Sequence, residues 1–225
     1  MANHSTDGNP VYFAFHGGET RWGTHVCCLY ENDDQRDDLV LSFFAEGART
    51  GDDLAYAAAG DTWLDLPERF KETVGYDYEL YRLKARELCC FDGALPSWLI
   101  PEPCGQGELF ASGGGLRTAA DMGWLLEERP SASSCCQAEL LLDSCVAERR
   151  WIALCLFDVR RFSSSELMLA LKTHPYIYRG GLVGNQFYQG RSVVKGAFGQ
   201  TRHGEPDGRH ENPGSHDQRG GMGIA

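Results

Sequence analysis

Hydrophobic positions along this chain change rhythm repeatedly, from short continuous runs to a spacing of three and four. The run at 24–30, THVCCLY, has the length and apolar density of a buried strand. Immediately after it, Leu39, Val40, Phe43, Phe44 and Ala48 fall on one face of a helix predicted over 34–49. Asn32, Asp33 and Asp34 supply its N-cap, and Gly51 stands where a helix ends. A second strand is predicted at 53–59, DLAYAAA. Strand, helix and strand of these lengths make a β-α-β unit, for which a parallel pair is the natural reading.

The same alternation continues downstream. A second helix is expected over 62–75 and a strand at 86–91, RELCCF. The stretch 92–115 is rich in Gly and Pro and has no period, so it reads as a loop, a lid or an eroded element. Residues 116–126, LRTAADMGWLL, mix one Arg and one Asp with apolar positions. A helix is predicted across 134–149, with Ala138, Leu141, Leu142, Cys145 and Val146 on its apolar face. The run WIALCLF at 151–157 is continuous, as a strand covered on both faces should be. Ser163 or Ser164 then caps a helix through Thr173, with Glu166 placed for a capping box. A short strand and a Gly-rich turn follow in 174–188. The pattern therefore predicts an α/β fold, with a mainly parallel central sheet and helices on both faces.

Both ends of the chain lack such patterning. Residues 1–22 read as a flexible N-terminus, and 23–189 as a single domain. Nine glycines in 190–225, with no surviving hydrophobic period, predict a disordered tail.

Charge narrows the function classes. The net charge of −11 opposes direct nucleic-acid binding, which needs clustered Lys and Arg. No apolar run has the roughly 18 residues needed to span a bilayer, and MANHSTDGNP lacks the features of a secretion signal. A cytoplasmic protein with no membrane association is expected. The nine cysteines include three adjacent pairs but no CxxC, so familiar zinc and redox spacings are missing. They read as small buried hydrophobes of a reducing compartment, with a redox sensor as a second alternative. No metal site and no cofactor are predicted.

Conventional catalytic motifs are also missing. The chain contains no G-x-x-x-x-G-K-[ST], G-x-S-x-G or H-E-x-x-H. At the first strand–helix corner, Glu31, Asn32, Asp33 and Asp34 occupy the field where a helix would hold a phosphate. That corner is predicted to be a capped turn. A non-enzymatic role is expected, although His25, His174, Cys155, Asp121 and Asp158 could meet in space.

Four segments, taken in order, resemble a known family. His25-Val-Cys-Cys-Leu-Tyr30-Glu31, with Phe43-Phe44-Ala-Glu-Gly47 and Gly51-Asp-Asp-Leu-Ala-Tyr56, is similar to its opening β-α-β. Leu116-Arg117 with Asp121-Met122-Gly123-Trp124 resembles its central motif, and Ala153 to Ser163 its late strand and helix cap. Thr173-His174-Pro175 with Asn185-Gln-Phe187-Tyr188 resembles its closing signature. This is the MEDS family, the methanogen/methylotroph sensory domain. The resemblance implies a RecA/KaiC-like fold without its phosphate loop and a role in sensing or signalling. It implies small organic ligands such as hydrocarbon derivatives, and output through a partner protein such as a kinase or transcription regulator. The chain departs from the family pattern at 92–115, where a helix leading into Leu116 is expected.

The positions that carry the resemblance each admit a structural and a functional reading. His25 is a strand-end histidine or a pocket group. Arg117 and Asp121 pair across a helical turn or serve a site. Trp124 is a core anchor or an aromatic wall. Asp158 sits at a strand end, where open α/β sheets bind ligands, or bonds the Arg160-Arg161 turn. His174, before Pro175, ends a helix, and Asn185 satisfies a Gly-rich turn. With Tyr30 and Glu31, these are the candidate ligand-binding residues; an alternative is a divergent nucleotide binder or enzyme around His25, Asp121, Asp158 and His174.

Overall fold

The structure, a computed structural model, describes residues 11–14, 18–58, 65–75, 80–84, 114–128 and 132–190. Strands β1 (Val11–Tyr12) and β2 (Glu19–Thr20) form a small antiparallel hairpin. The main elements then follow as β3 (Thr24–Tyr30), α1 (Asp33–Thr50), β4 (Asp53–Ala58), α2 (Leu66–Val74) and β5 (Leu80–Lys84). After them come β6 (Leu116–Asp121), α3 (Trp124–Glu128), α4 (Ala132–Ala147), β7 (Trp151–Asp158), α5 (Ser164–Thr173), β8 (Tyr176–Tyr178) and β9 (Leu182–Gly184).

Seven of these strands form one sheet in the order β5-β4-β6-β7-β3-β8-β9. Neighbours are parallel except the closing β8–β9 hairpin. The α/β class with a mainly parallel sheet is thus observed. One pairing differs from expectation: β3 and β4 run parallel but do not touch, because β6 and β7 lie between them. Strands β6 and β7 are buried along their whole length, so they fill the centre of the sheet.

Alternate residues of each strand serve two cores. One face carries Val26, Cys28, Tyr56, Leu154 and Leu156 against Phe43 and Phe44 of α1 and Phe70 of α2. The other carries Cys27, Ala55, Ala120, Ala153 and Cys155 against Leu142, Cys145 and Val146 of α4 and Ala170 of α5. Helix boundaries follow the sequence signals. Asn32 Oδ1 accepts from the backbone N–H of Gln35, and Gly51 ends α1 in the left-handed region at φ 76°. Ser163 and Glu166 form the predicted capping box at α5.

Two expectations need adjustment. Residues 11–14 and 18–22, within the segment read as flexible, pack onto the domain, and Phe13 is completely buried. Residues 116–121 are a strand, so Arg117 and Asp121 do not pair across a helical turn. Arg117 Nε instead donates to Asp52 Oδ2 at 2.8 Å, while its terminal nitrogens donate to the carbonyls of Phe13 (2.8 Å) and Tyr12 (2.9 Å). The strand expected at 86–91, all of the 92–115 loop but Gly114 and Gly115, and the tail beyond Gly190 lie outside the described residues.

Candidate functional site

Adjacent strands β7 and β3 send their following helices to opposite faces, α5 to one and α1 to the other. Such a switch point opens a crevice at the carboxyl ends of the strands, where α/β sheets commonly bind ligands. Here the crevice is occupied by side chains. Asp158, at the end of β7, accepts from Arg160 Nε and Nη2 at 2.8 Å each, and Arg160 Nη2 also donates to Asp33 Oδ1 at 2.9 Å. The Arg160 bonds hold the Asp158 carboxyl below its usual range. Asp121, at the end of β6, accepts from the backbone N–H of Gly123, and burial raises its pKa. A Cβ on Gly123 would stand 2.7 Å from Arg161 Nη1, so glycine lets that guanidinium come close. The acidic corner therefore serves as a helix cap and an arginine anchor.

Beside this corner, a cavity of about 620 Å³ runs between α3, α4 and α5. Leu125, Leu126, Phe157 and Leu169 make its walls, Arg161 and Glu166 also line it, and Glu139 and Thr173 lie deeper. A second hollow of about 760 Å³ lies across the sheet against Tyr30, Glu31, Asp38, Tyr178 and Arg179.

Glu139 connects the first cavity to a buried polar cluster. His25 reaches it from β3, Cys155 from β7, and His174 from the end of α5; all four residues are buried. The imidazole rings of His25 and His174 lie 4.0 Å apart. Each Nε2 is 3.5 Å from Glu139 Oε2, and His25 Nε2 is 3.4 Å from Cys155 Sγ. Burial pushes the Glu139 carboxyl up to about 7, with His25 opposing and Asp143 adding to the rise. Burial, with His25 alongside, holds His174 well below its usual pKa, so its ring is neutral.

Of the predicted site residues, His25 and His174 meet. The others are distributed. Tyr30 and Glu31 line the second hollow. Arg117 lies near the start of β6, against Asp52. Trp124 starts α3 within the core. Asp121 and Asp158 stand at strand ends; Asp158 is five positions past the partner of His25, about 16 Å along the sheet. Asn185 is a clamp: its Nδ2 donates to the carbonyls of Leu171 (2.5 Å) and His174 (2.7 Å), and its Oδ1 accepts from the Phe187 N–H.

Glu139 and Asp143 were missed by the sequence reading. Their signal was present as two carboxylates four apart on the apolar face of α4. No helix among the described residues is long and apolar enough to cross a membrane.

Comparisons with known proteins add one assignment. No curated protein matches the chain. A solved structure titled "Structural study of Project ID PH0250 from Pyrococcus horikoshii OT3" aligns over 73% of this chain and 87% of its own, at 12% identity and a TM-score of 0.44. That likeness is too distant to carry an argument. Residues 107–175, spanning β6 to α5, match the family model MEDS, the MEthanogen/methylotroph, DcmR Sensory domain. The match takes in the central motif, the late strand with its helix cap and Thr173-His174-Pro175, so the resemblance to a sensory domain family holds over 107–175, while the opening β-α-β and the Asn185 segment lie outside it.

Proposed function

We propose that this protein is a non-enzymatic sensory domain that binds a small organic molecule in the cavity between α3, α4 and α5 and passes the signal to a partner protein. The cavity itself carries this reading. Its volume of about 620 Å³ is within the range of small-molecule sites, and its mostly apolar walls surround a few polar groups. A hydrocarbon derivative suits such walls, and Arg161 lines the cavity where it can meet a polar end. The MEDS match supports the sensory role, because that family is a sensory one. Binding would act by favouring one arrangement of α5 against α4.

The nucleotide-binding alternative is weakened by the crevice, where Asp33, Asp158 and Arg160 bond one another. A redox role is weakened by the thiols. Cys28 is buried with its pKa pushed up to about 12, and Cys136 up to about 11, by burial.

The test is nuclear magnetic resonance of the full chain titrated with short-chain alcohols, ketones and halogenated alkanes. Saturable shifts centred on Leu125, Phe157 and Leu169 are expected, and a cavity-filling Leu126→Trp should abolish them. Shifts confined to the second hollow, or unaffected by filling the cavity, would overturn the assignment.

A further inference from the structure

His25, Glu139, Cys155 and His174 come from two strands, one helix and one helix end, yet their ligand atoms all lie within 4.8 Å of one another. Two imidazoles, a thiol and a carboxylate are the donors that bind zinc and its first-row neighbours. We propose that these four side chains form a tetrahedral site for a divalent transition-metal ion, with zinc the ion best matched to the donor set.

Three of the six donor–donor distances match a tetrahedral site, and all six are within 4.8 Å. A tetrahedron with metal–ligand bonds of about 2.0–2.3 Å has edges of about 3.3–3.8 Å. The separations here are 3.4 Å for His25 Nε2 to Cys155 Sγ and 3.5 Å from Glu139 Oε2 to each histidine Nε2. The nitrogen–oxygen separations exceed the ~2.7–3.2 Å of a normal N–H···O bond. Consistent with that, His174 Nε2 and both Glu139 oxygens are buried with no hydrogen-bond partner. Burying such groups unsatisfied is costly, and a shared cation would satisfy them together.

The outer contacts point the same way. His174 Nδ1 lies 2.7 Å from the carbonyl of Ala170, which can only accept. The ring proton therefore sits on Nδ1, and the Nε2 lone pair faces the cluster. His25 Nδ1 lies 3.7 Å from Asp143 Oδ1, and Asp143 Oδ2 accepts from the hydroxyl of Tyr188 at 3.0 Å. A ligating histidine whose second nitrogen faces a carbonyl or an anchored carboxylate is the usual support of a metal centre. Phe157 stands edge-on to His174, with ring centroids 6.0 Å apart, and limits the tilt of that ring. The site does not depend on the ligand proposed above, because none of its four donors comes from that ligand.

Sequence inspection grouped His25, Cys155 and His174 but not Glu139, since donors at 25, 139, 155 and 174 have no short spacing. The experiment uses the full chain, purified without chelator and analysed by elemental mass spectrometry. About one equivalent of zinc or a neighbouring metal per chain is expected. After the metal is stripped, titration with Co²⁺ should give tetrahedral ligand-field bands and a thiolate-to-cobalt charge-transfer band. Cys155→Ser should remove the charge-transfer band, and His174→Ala should weaken Co²⁺ binding by at least about 100-fold. X-ray absorption of the wild-type zinc form needs no variant and should show one sulfur among nitrogen and oxygen ligands. A wild-type chain that neither retains metal nor develops the cobalt bands would overturn the proposal. So would an all-nitrogen/oxygen shell, or a charge-transfer band that survives Cys155→Ser.

Discussion

Asp52→Ala removes the only carboxylate among the described residues that bonds a guanidinium completely shielded from water. Arg117 is 0% exposed and makes three hydrogen bonds, one to Asp52 and two to the carbonyls of Tyr12 and Phe13. Burial already lowers its pKa, and Asp52 is the main influence opposing that. Losing one member of such a pair destabilises by about 3–5 kcal/mol, because the survivor keeps its desolvation penalty without the attraction. Arg117→Met should fall in the same range, since it strands the two carbonyls and deprives Asp52 of its charge partner. Asp52 would still accept from Gly115 N–H at 3.0 Å and Thr50 Oγ1 at 2.7 Å. The double variant removes both charges, so it should be more stable than the sum of the singles implies, by about 2 kcal/mol. Urea unfolding followed by tryptophan fluorescence measures all three. With a slope of about 1–3 kcal/mol per molar urea, each single change lowers the midpoint by roughly 2 M. Strict additivity, or single effects below about 1 kcal/mol, would show that the pair does not hold the N-terminal hairpin to the sheet.

Two further expectations follow from titration and access. The Asp158 carboxyl is depressed by Arg160, so it binds fewer protons in the folded chain than in the unfolded one. Its contribution is complete above the ordinary aspartate range and is lost as pH falls through the folded value. The gap in urea midpoint between wild type and Asp158→Asn should therefore narrow steadily on acidification; a gap that widens would reverse the sign. Cys27, Cys28 and Cys136 are buried thiols with raised pKa values, so peptide-resolved alkylation at neutral pH should modify them far more slowly in native than in denatured protein. Rapid native labelling of Cys28 would return a redox role to consideration.

Local signals made most elements legible. The strand at 24–30, the helix after Asn32 and the capping box at Ser163 are set by neighbouring residues, and the structure reproduces them closely. Strand order is different, because it depends on which buried runs compete for the centre of the sheet. The uninterrupted burial of β6 and β7 puts them between β3 and β4, something no β-α-β spacing encodes. Arg117 misled for a related reason. Its spacing to Asp121 suggested a helix, whereas its true partner, Asp52, arrives through the β4–β6 register. The buried cluster was partly visible. His25, Cys155 and His174 were grouped as residues that could meet, while Glu139 and Asp143 went unnoticed, because only the packing of the helix on the sheet buries them beside the histidines.

The clamp at Asn185 joins the interior to the surface. Its amide grips the last carbonyls of α5, and the Gln189 N–H bonds the carbonyl of Lys172 nearby. Helix α5 is also one wall of the cavity, while the adjoining β9 segment leaves Val183 and Phe187 among the exposed large hydrophobic residues. Asn185 thus ties the helix end to the closing hairpin. If the cavity takes the proposed guest, a displaced α5 would carry that hairpin with it, turning occupancy into a change of surface shape.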